Sequence, residues 1–248
     1  MTLRKKILIT LPLLSLLALA GFQAARKATS SGDPIIDGFR KTTVASVADA
    51  VDQVVGRRGF LSHKIRPVVP GQIVGRAITA LARPSAPDKA TPTLATRYAT
   101  EMIDNSNPGE VGVIVMEDGA DVAAIGGLMG TAAKARGMAG MVIDGGVRDV
   151  GELRALGLTT YASSITPATA VSRWTSVARN IPVECGGVTI KPGDIIVAGE
   201  DGIVSVPQEK AAEVLKRAQE IDERETSMVP MIKQHKSLSK VVALFNRI

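Results

Sequence analysis

The sequence predicts a single-domain α/β fold with a mainly parallel sheet, and two observations support this. Through the middle of the chain, short apolar runs of strand length alternate with segments whose apolar residues recur at helical spacing. This alternation is typical of parallel strands joined by helical crossovers. The stretch from 181 to 206 is rich in β-branched residues and glycine turns, and it predicts further, partly antiparallel, strands.

The first part of the predicted domain runs from a helix to two buried strands. Apolar residues at helical intervals over 43–59 end at glycines and predict a helix. The segment 65–81 is predicted to be extended, because it is rich in β-branched residues and punctuated by proline and glycine. A second helix is predicted over 88–104. Apolar runs then predict a buried strand within 109–118 and a shorter strand at 120–125.

The second part begins with a glycine-rich loop, 126–130, which precedes a helix predicted over 131–138. An apolar run predicts a strand over 139–144, and a short helix over 149–157 ends at a glycine. The remaining strands are predicted at 159–163, 181–190, 194–199 and 202–207. One long final helix is predicted over 209–227.

The N-terminal residues resemble an export signal. Three basic residues at positions 4–6 precede an apolar run over 7–20, which ends in the small-residue pattern Ala-Leu-Ala. The run is shorter than the roughly 20 residues that span a bilayer. A cleaved signal peptide over 1–20 is therefore expected, and the protein is expected to be exported to the periplasm or secreted. An uncleaved N-terminal membrane anchor is the alternative.

The predicted domain limits follow from these elements. A polar tether is expected over 21–41, the folded domain over 42–230, and a charged tail over 231–248. Membrane contact is expected only through an uncleaved N-terminal segment.

Composition excludes several classes of site. The single cysteine, Cys185, excludes an internal disulfide and a cysteine-cluster metal site. His63 and His235 lie far apart, so a zinc site is not expected. Apart from the three N-terminal basic residues, the chain contains 27 basic and 24 acidic residues, so its charge is nearly balanced. No dense basic stripe occurs elsewhere, and no nucleic-acid partner is expected.

Two loops at the ends of predicted strands contain the candidate site. In the first, Gly126, Gly127 and Gly130 would let the backbone approach a ligand, and the following helix would offer free N–H groups to an anion. The alternative is a glycine turn needed only for close packing of a helix on a strand. The loop matches neither a Walker sequence nor a dinucleotide fingerprint.

The second loop contains Arg148 and Asp149, followed by Glu152. An arginine can bind a carboxylate through two parallel hydrogen bonds. Asp149 could bind a hard cation or cap the following helix, and Arg148 could equally form a surface ion pair. Because crossover-linked parallel strands are often neighbours, both loops are expected to meet in one crevice. Such a crevice suits a small oxygen-rich anion and a divalent metal.

The segment "GGLMGTAAKARGMAGMVIDGGVRDVGEL" resembles the RraA-like superfamily, which includes metal-dependent 4-hydroxy-4-methyl-2-oxoglutarate aldolases with oxaloacetate decarboxylase activity. The resemblance extends over residues 42–207 and includes "IPVECGGVTIKPGDIIVAGEDGIVSVP". It implies a β/β/α sandwich, assembled as a homotrimer or hexamer with sites between subunits. One departure is the pair Ser163-Ser164, where members often have an arginine and a glycine.

The resemblance also implies a role for each residue of the crevice. Amides of Gly126, Gly127, Leu128 and Met129 would bind the substrate carboxylate. Arg148 would bind substrate oxygens, Asp149 would hold Mg²⁺ or Mn²⁺ directly or through water, and Glu152 would support the metal's hydration shell. Arg148 and Asp149 are thus the candidate catalytic residues.

The implied activity is that of a class II pyruvate aldolase acting on a small 2-oxo acid. It would cleave 4-hydroxy-2-oxo acids through a pyruvate enolate and also decarboxylate oxaloacetate. An exported, non-catalytic keto-acid-binding protein is the first alternative, and a ribonuclease-regulating interaction protein is the second.

Overall fold

A computed structural model of the chain describes residues 32–245. The predicted signal or anchor segment, residues 1–20, lies outside the described residues. None of the helices in the described part is long and apolar enough to cross a membrane.

Within residues 32–245, the helices are α1 (Pro34–Phe39), α2 (Val44–Val55), α3 (Pro92–Asp104), α4 (Gly127–Ala135), α5 (Val150–Leu156), α6 (Ala211–His235) and α7 (Leu238–Phe245). The strands are β1 (Arg66–Val69), β2 (Ile73–Pro84), β3 (Val111–Met116), β4 (Ala123–Ile125), β5 (Gly140–Val147), β6 (Thr160–Ile165), β7 (Trp174–Arg179), β8 (Val183–Cys185), β9 (Val188–Ile190), β10 (Ile195–Gly199) and β11 (Gly202–Val206).

A mixed nine-stranded sheet forms the centre of the domain. Its main path is β1-β6-β5-β3-β2-β10-β11, while β4 pairs with β5 and β7 pairs with β2. The pairs β2–β3, β3–β5, β4–β5 and β5–β6 are parallel, and the outer pairs are antiparallel. The expected parallel centre with additional antiparallel strands is confirmed.

The two faces of this sheet are covered differently, as alternating residues of β3 show. Val113 packs in a cluster with the hairpin β8–β9, whereas Ile114 packs in a cluster with α3, α4 and α5. This alternation follows from the two-residue period of a strand. The order hairpin, sheet, helices corresponds to the expected β/β/α arrangement. A third cluster lies where α1, α2 and α6 cover β10 and β11.

The ordered domain extends beyond the predicted limits of 42 and 230. Asp33 caps α1 by accepting a hydrogen bond from the amide of Ile35, and Ile36 and Phe39 are buried in the third cluster. The predicted tether therefore contains a packed helix. At the other end, α6 continues through Pro230 to His235, and α7 follows it, so most of the described part of the predicted tail is helical.

The structure differs from the predicted elements at four further places. The strand predicted over 181–190 is a hairpin, because Gly186 and Gly187 adopt positive φ angles of 56° and 77° and turn the chain. Strand β7 was not predicted. Helix α4 begins at Gly127 rather than at 131, and β5 continues past Asp144 to Val147.

Candidate active site

The two candidate loops lie side by side in the structure. Strands β4 and β5 are parallel neighbours, with Ile125 paired to Val147, so the starts of α4 and α5 are adjacent. They border one cleft of about 380 Å³, a volume suited to a small metabolite. Every residue to which the resemblance gives a role lines this cleft, whereas Gly130 does not: the lining residues are Gly126, Gly127, Leu128, Met129, Arg148, Asp149 and Glu152.

Asp149 has an unusual backbone conformation and an unexpected hydrogen bond. Its φ of 53° lies in the left-handed region, which aspartate tolerates better than most residues. The side chain does not cap α5, which it precedes. Instead, Oδ2 accepts a hydrogen bond of 3.0 Å from the amide of Gly127, the first residue of α4. The predicted alternative, a cap on the following helix, is therefore wrong, because the carboxylate caps the neighbouring helix.

The glycines let carboxylates reach the backbone at the start of α4. A Cβ added at Gly127 would lie 1.6 Å from Oε2 of Glu152, and one added at Gly126 would lie 2.4 Å from Oδ2 of Asp149. No side chain fits at either position while the carboxylates stay in place. Gly130 has a different role, since a Cβ there would lie 2.3 Å from Leu153. The close-packing interpretation of the glycine loop is correct at Gly130, where the packing is of helix on helix. The interpretation of the loop as a ligand-binding backbone stays a prediction.

The start of α4 presents unsatisfied donors to the cleft. The first amides of a helix have no intrahelical acceptor. That of Gly127 is bonded to Asp149, whereas those of Leu128 and Met129 have no acceptor among residues 32–245. These two amides, at the positive end of the helix, can bind an anion. The Leu128 side chain is 90% exposed beside them.

Arg148 is only weakly held by the protein. Its Nε lies 3.6 Å from Oδ2 of Asp149, and its side chain is 43% exposed. This distance exceeds that of a hydrogen bond, and an exposed pair of this kind contributes little to stability. Within the described residues, no acceptor forms a hydrogen bond with its guanidinium. Arg148 thus keeps its planar set of donors for a ligand.

The donor set fits a hard divalent cation that keeps water or substrate ligands. Among residues 32–245, no group of three or more His, Cys, Asp or Glu side chains forms a complete metal cage. Mg²⁺ is commonly held by one or two carboxylates together with substrate and water. The carboxylates of Asp149 and Glu152 both lie close to Gly127. Among the described residues, no donor forms a hydrogen bond with Oδ1 of Asp149 or with either carboxylate oxygen of Glu152.

Sequence reasoning missed one part of the cleft. Thr96 on α3 and the segment 169–171, between β6 and β7, also line it. Neither belongs to a recognisable motif, so no local signal marked them. Ser163 and Ser164 are absent from this lining; Ser163 donates a 2.9 Å hydrogen bond to Oδ1 of Asp144, and Ser164 donates to the carbonyl of Ala120.

The chain belongs to the RraA-like family, described as Aldolase/RraA, whose sequence profile matches residues 44–205. A relative from Halalkalibacterium halodurans, provisionally named a 4-hydroxy-4-methyl-2-oxoglutarate aldolase, is 31% identical over 185 residues. That match covers 74% of this chain and 81% of the relative. The region matched by the family profile, residues 44–205, contains the whole of the glycine and Arg-Asp segments.

Two solved structures share the fold. A protein from Pseudomonas syringae pv. tomato, described as uncharacterized, has a TM-score of 0.73 at 30% identity, covering 84% of this chain and 96% of its own. Streptomyces coelicolor RraAS2, described as an unusual member of the RNase ES inhibitor RraA family, has a TM-score of 0.70 at 26% identity. That match covers 80% of this chain and 96% of RraAS2. The family therefore includes proteins named for two different activities.

Proposed function

We propose that this protein is a divalent-metal-dependent lyase that cleaves 4-hydroxy-2-oxo acids to pyruvate and also decarboxylates oxaloacetate. The class of substrate is the one to which 4-hydroxy-4-methyl-2-oxoglutarate belongs. One observation supports the proposal above the others: a guanidinium held only by a 3.6 Å ion pair, two carboxylates and helix amides without a described acceptor line a single cleft.

The amides of Leu128 and Met129 bind the substrate carboxylate, and Arg148 lies beside the keto oxygen. In cleavage, the bond between C3 and C4 breaks, the 4-hydroxyl group loses its proton to water, and C4 becomes a carbonyl; water returns a proton to C3 in the last step. The electron pair stays on the pyruvate fragment as its enolate. The fixed positive charge of Arg148 stabilises this enolate, because its donors are oriented before the charge develops. Protonation at C3 then gives pyruvate.

Asp149 and Glu152 hold the metal in this proposal. Bound Mg²⁺ or Mn²⁺ supplies Lewis-acid stabilisation of charge at the keto oxygen. The hydrogen bond from Gly127 fixes the Asp149 carboxylate and leaves its second oxygen for the cation. Loss of carbon dioxide from oxaloacetate leaves the same enolate, so the same residues support both reactions.

The test follows pyruvate formation from oxaloacetate and from 4-hydroxy-4-methyl-2-oxoglutarate with purified protein. Activity should disappear with EDTA and return with Mg²⁺ or Mn²⁺, because only oxygen ligands are offered. A protein-free sample at the same free Mg²⁺ is the control, since the ion alone accelerates oxaloacetate decarboxylation. Full turnover by metal-free protein would contradict the mechanism. Binding of these acids without turnover would instead support a non-catalytic keto-acid-binding protein.

A further inference from the structure

The end of α6 and the following helix α7 expose apolar side chains to solvent. Val229 on α6 is 46% exposed, and Leu238 and Leu244 on α7 are 51% and 67% exposed. They are three of the seven large apolar side chains that are exposed among residues 32–245. A cluster of exposed apolar side chains marks an interaction surface. We call residues 226–245 the C-terminal helix pair.

The charge of the chain changes partway along α6. The first part of the helix, residues 211–225, carries five acidic and three basic side chains. From 226 to 248 the chain has no acidic side chain, although it has four basic ones. These are Lys233, Lys236, Lys240 and Arg247. A local excess of one charge indicates a partner of the opposite charge.

The lysines of the C-terminal helix pair lie next to its exposed apolar side chains. Val229 and Lys233 are four residues apart on α6, so they lie on one side of that helix. Lys240 and Leu244 have the same spacing on α7. The ion pairs that involve α6 lie in its first half. Within residues 32–245 the lysines of the C-terminal helix pair form no ion pair, so their charges are available to a partner.

Neither the core nor the candidate active site accounts for this surface. The first half of α6 packs in the third cluster through residues such as Leu215 and Ile221. None of residues 229–245 belongs to any of the three core clusters. The lining residues of the active-site cleft lie between 96 and 171, and the family profile ends at residue 205. The combination of apolar and basic side chains therefore needs a separate explanation.

We propose that the C-terminal helix pair binds the surface of an anionic lipid bilayer. Its lysines contact lipid phosphates, while Val229, Leu238 and Leu244 enter the boundary between headgroups and acyl chains. Basic and apolar side chains together hold interfacial helices on membranes in this way. A second copy of the same surface fits less well, because a symmetric contact would bring the lysines of both copies together. This surface is separate from the N-terminal segment, through which alone the sequence predicts membrane contact.

The test measures co-sedimentation with vesicles of phosphatidylcholine, with and without phosphatidylglycerol. It uses the chain that begins at Gly21, the expected product of signal cleavage, so that the apolar N-terminal run does not contribute. This chain keeps all three core clusters, which lie within residues 32–245. Affinity should be higher by about tenfold or more for the anionic vesicles and should fall as salt is added. Equal affinity for both kinds of vesicle, or no binding to either, would overturn the proposal.

A pair of matched triple variants separates a local surface from overall charge. Replacing Lys233, Lys236 and Lys240 with glutamine should lower the affinity for anionic vesicles by roughly 100-fold, which is about fivefold for each lysine. The control replaces three exposed lysines elsewhere with glutamine: Lys64, Lys89 and Lys216. This control changes the net charge equally and should leave the affinity nearly unchanged. Equal losses in both variants would show that vesicle binding reflects net charge alone, and the proposal would be wrong.

A double variant tests the apolar part of the surface. Leu238→Ser with Leu244→Ser changes two exposed positions, so the fold should persist, and vesicle affinity should fall by about tenfold or more. Sedimentation velocity without lipid provides the second measurement. If the parent chain does not bind vesicles and the double variant breaks up an oligomer, the surface is a contact between copies and the proposal is wrong. No measurement here depends on turnover, so the lyase proposal stands or falls separately.

Discussion

Two aspartates of the β5 region, five positions apart, have opposite relations to their surroundings. Asp144 lies within β5, and both its oxygens are engaged: Oδ1 accepts from the hydroxyl of Ser163, and Oδ2 from the amide of Gly186 at 2.7 Å. Asp149 follows the strand, and within the described part of the chain only its Oδ2 accepts a hydrogen bond, from Gly127. A satisfied carboxylate fixes the fold, whereas one with a free oxygen can bind a ligand.

The clefts beside these two aspartates differ in volume and in how the aspartate carboxylate is bonded. The one lined by Asp144 is larger, about 770 Å³, yet this carboxylate serves to join β5 to β6 and to the hairpin turn. The neighbouring thiol of Cys185 is fully buried; burial, with the nearby carboxylates of Asp144 and Glu184, raises its pKa well above the usual value. It stays neutral and is a poor nucleophile or metal ligand. The larger cleft is therefore not the one whose strand-end aspartate keeps a carboxylate oxygen without a described donor.

The largest expected effect is on activity, from Asp149→Asn. Asparagine keeps the size, tolerates the left-handed backbone and can still accept the bond from Gly127. Removing the charge should therefore weaken metal binding and reduce kcat/KM by about 30- to 150-fold, the equivalent of 2–3 kcal/mol, without unfolding the protein. Excess Mg²⁺ should partly restore the rate. A variant that unfolds, with an unchanged rate per folded molecule, would show that Asp149 only caps α4.

Arg148→Lys should reduce the rate to a similar extent for a different reason. Lysine keeps the positive charge but loses the planar donors that bind carboxylate oxygens in pairs. Substrate binding and enolate stabilisation should both weaken by roughly 30- to 150-fold overall. Mg²⁺ titrations of both variants, side by side, provide the measurement. Rescue of Arg148→Lys by the metal would mean that Arg148 acts on the metal site and not on the substrate.

Asp144→Ala should have the smaller effect, and on stability. This substitution removes the acceptor of a partly buried hydrogen bond from the amide of Gly186. The free energy of unfolding should fall by about 1–3 kcal/mol as a result. Ser163→Ala, which removes only the hydroxyl contact, should cost about 1 kcal/mol. Urea titration at fixed protein concentration measures both. Reduced metal affinity in Asp144→Ala at unchanged stability would move the functional site to the larger cleft.

The sequence predicts the charged residues of the cleft, Arg148, Asp149 and Glu152, because they lie close together along the chain. Arg148 and Asp149 follow an apolar strand, and the glycines follow another, so parallel neighbours bring them together. The contact between Asp149 and Gly127 joins residues 22 positions apart, and no local pattern encodes it. The same holds for Thr96 and the segment 169–171, which only tertiary packing adds to the cleft.

The missed elements of the fold have equally specific causes. All six residues of β7 are half-buried, so the strand lacks the alternation that would predict it. The sequence pattern predicts one strand where the structure has the hairpin β8–β9. The turn of this hairpin consists of Gly186 and Gly187, and the sequence alone does not distinguish such a pair from a β-bulge. Helix α4 begins within glycines, which are poor helix formers, and its start is fixed by the carboxylate of Asp149.

The contact between Gly127 and Glu152 links the two positions in related sequences. A side chain at 127 would occupy the space of the Glu152 carboxylate, which is the end of an exposed, flexible side chain and would have to move away from the start of α4. A homologue with alanine or serine at 127 should therefore hold its residue 152 away from the start of α4, even where that residue is an acid. This pair of alignment columns can sort family members that keep two carboxylates at the start of α4 from those that keep one, before any of them is assayed.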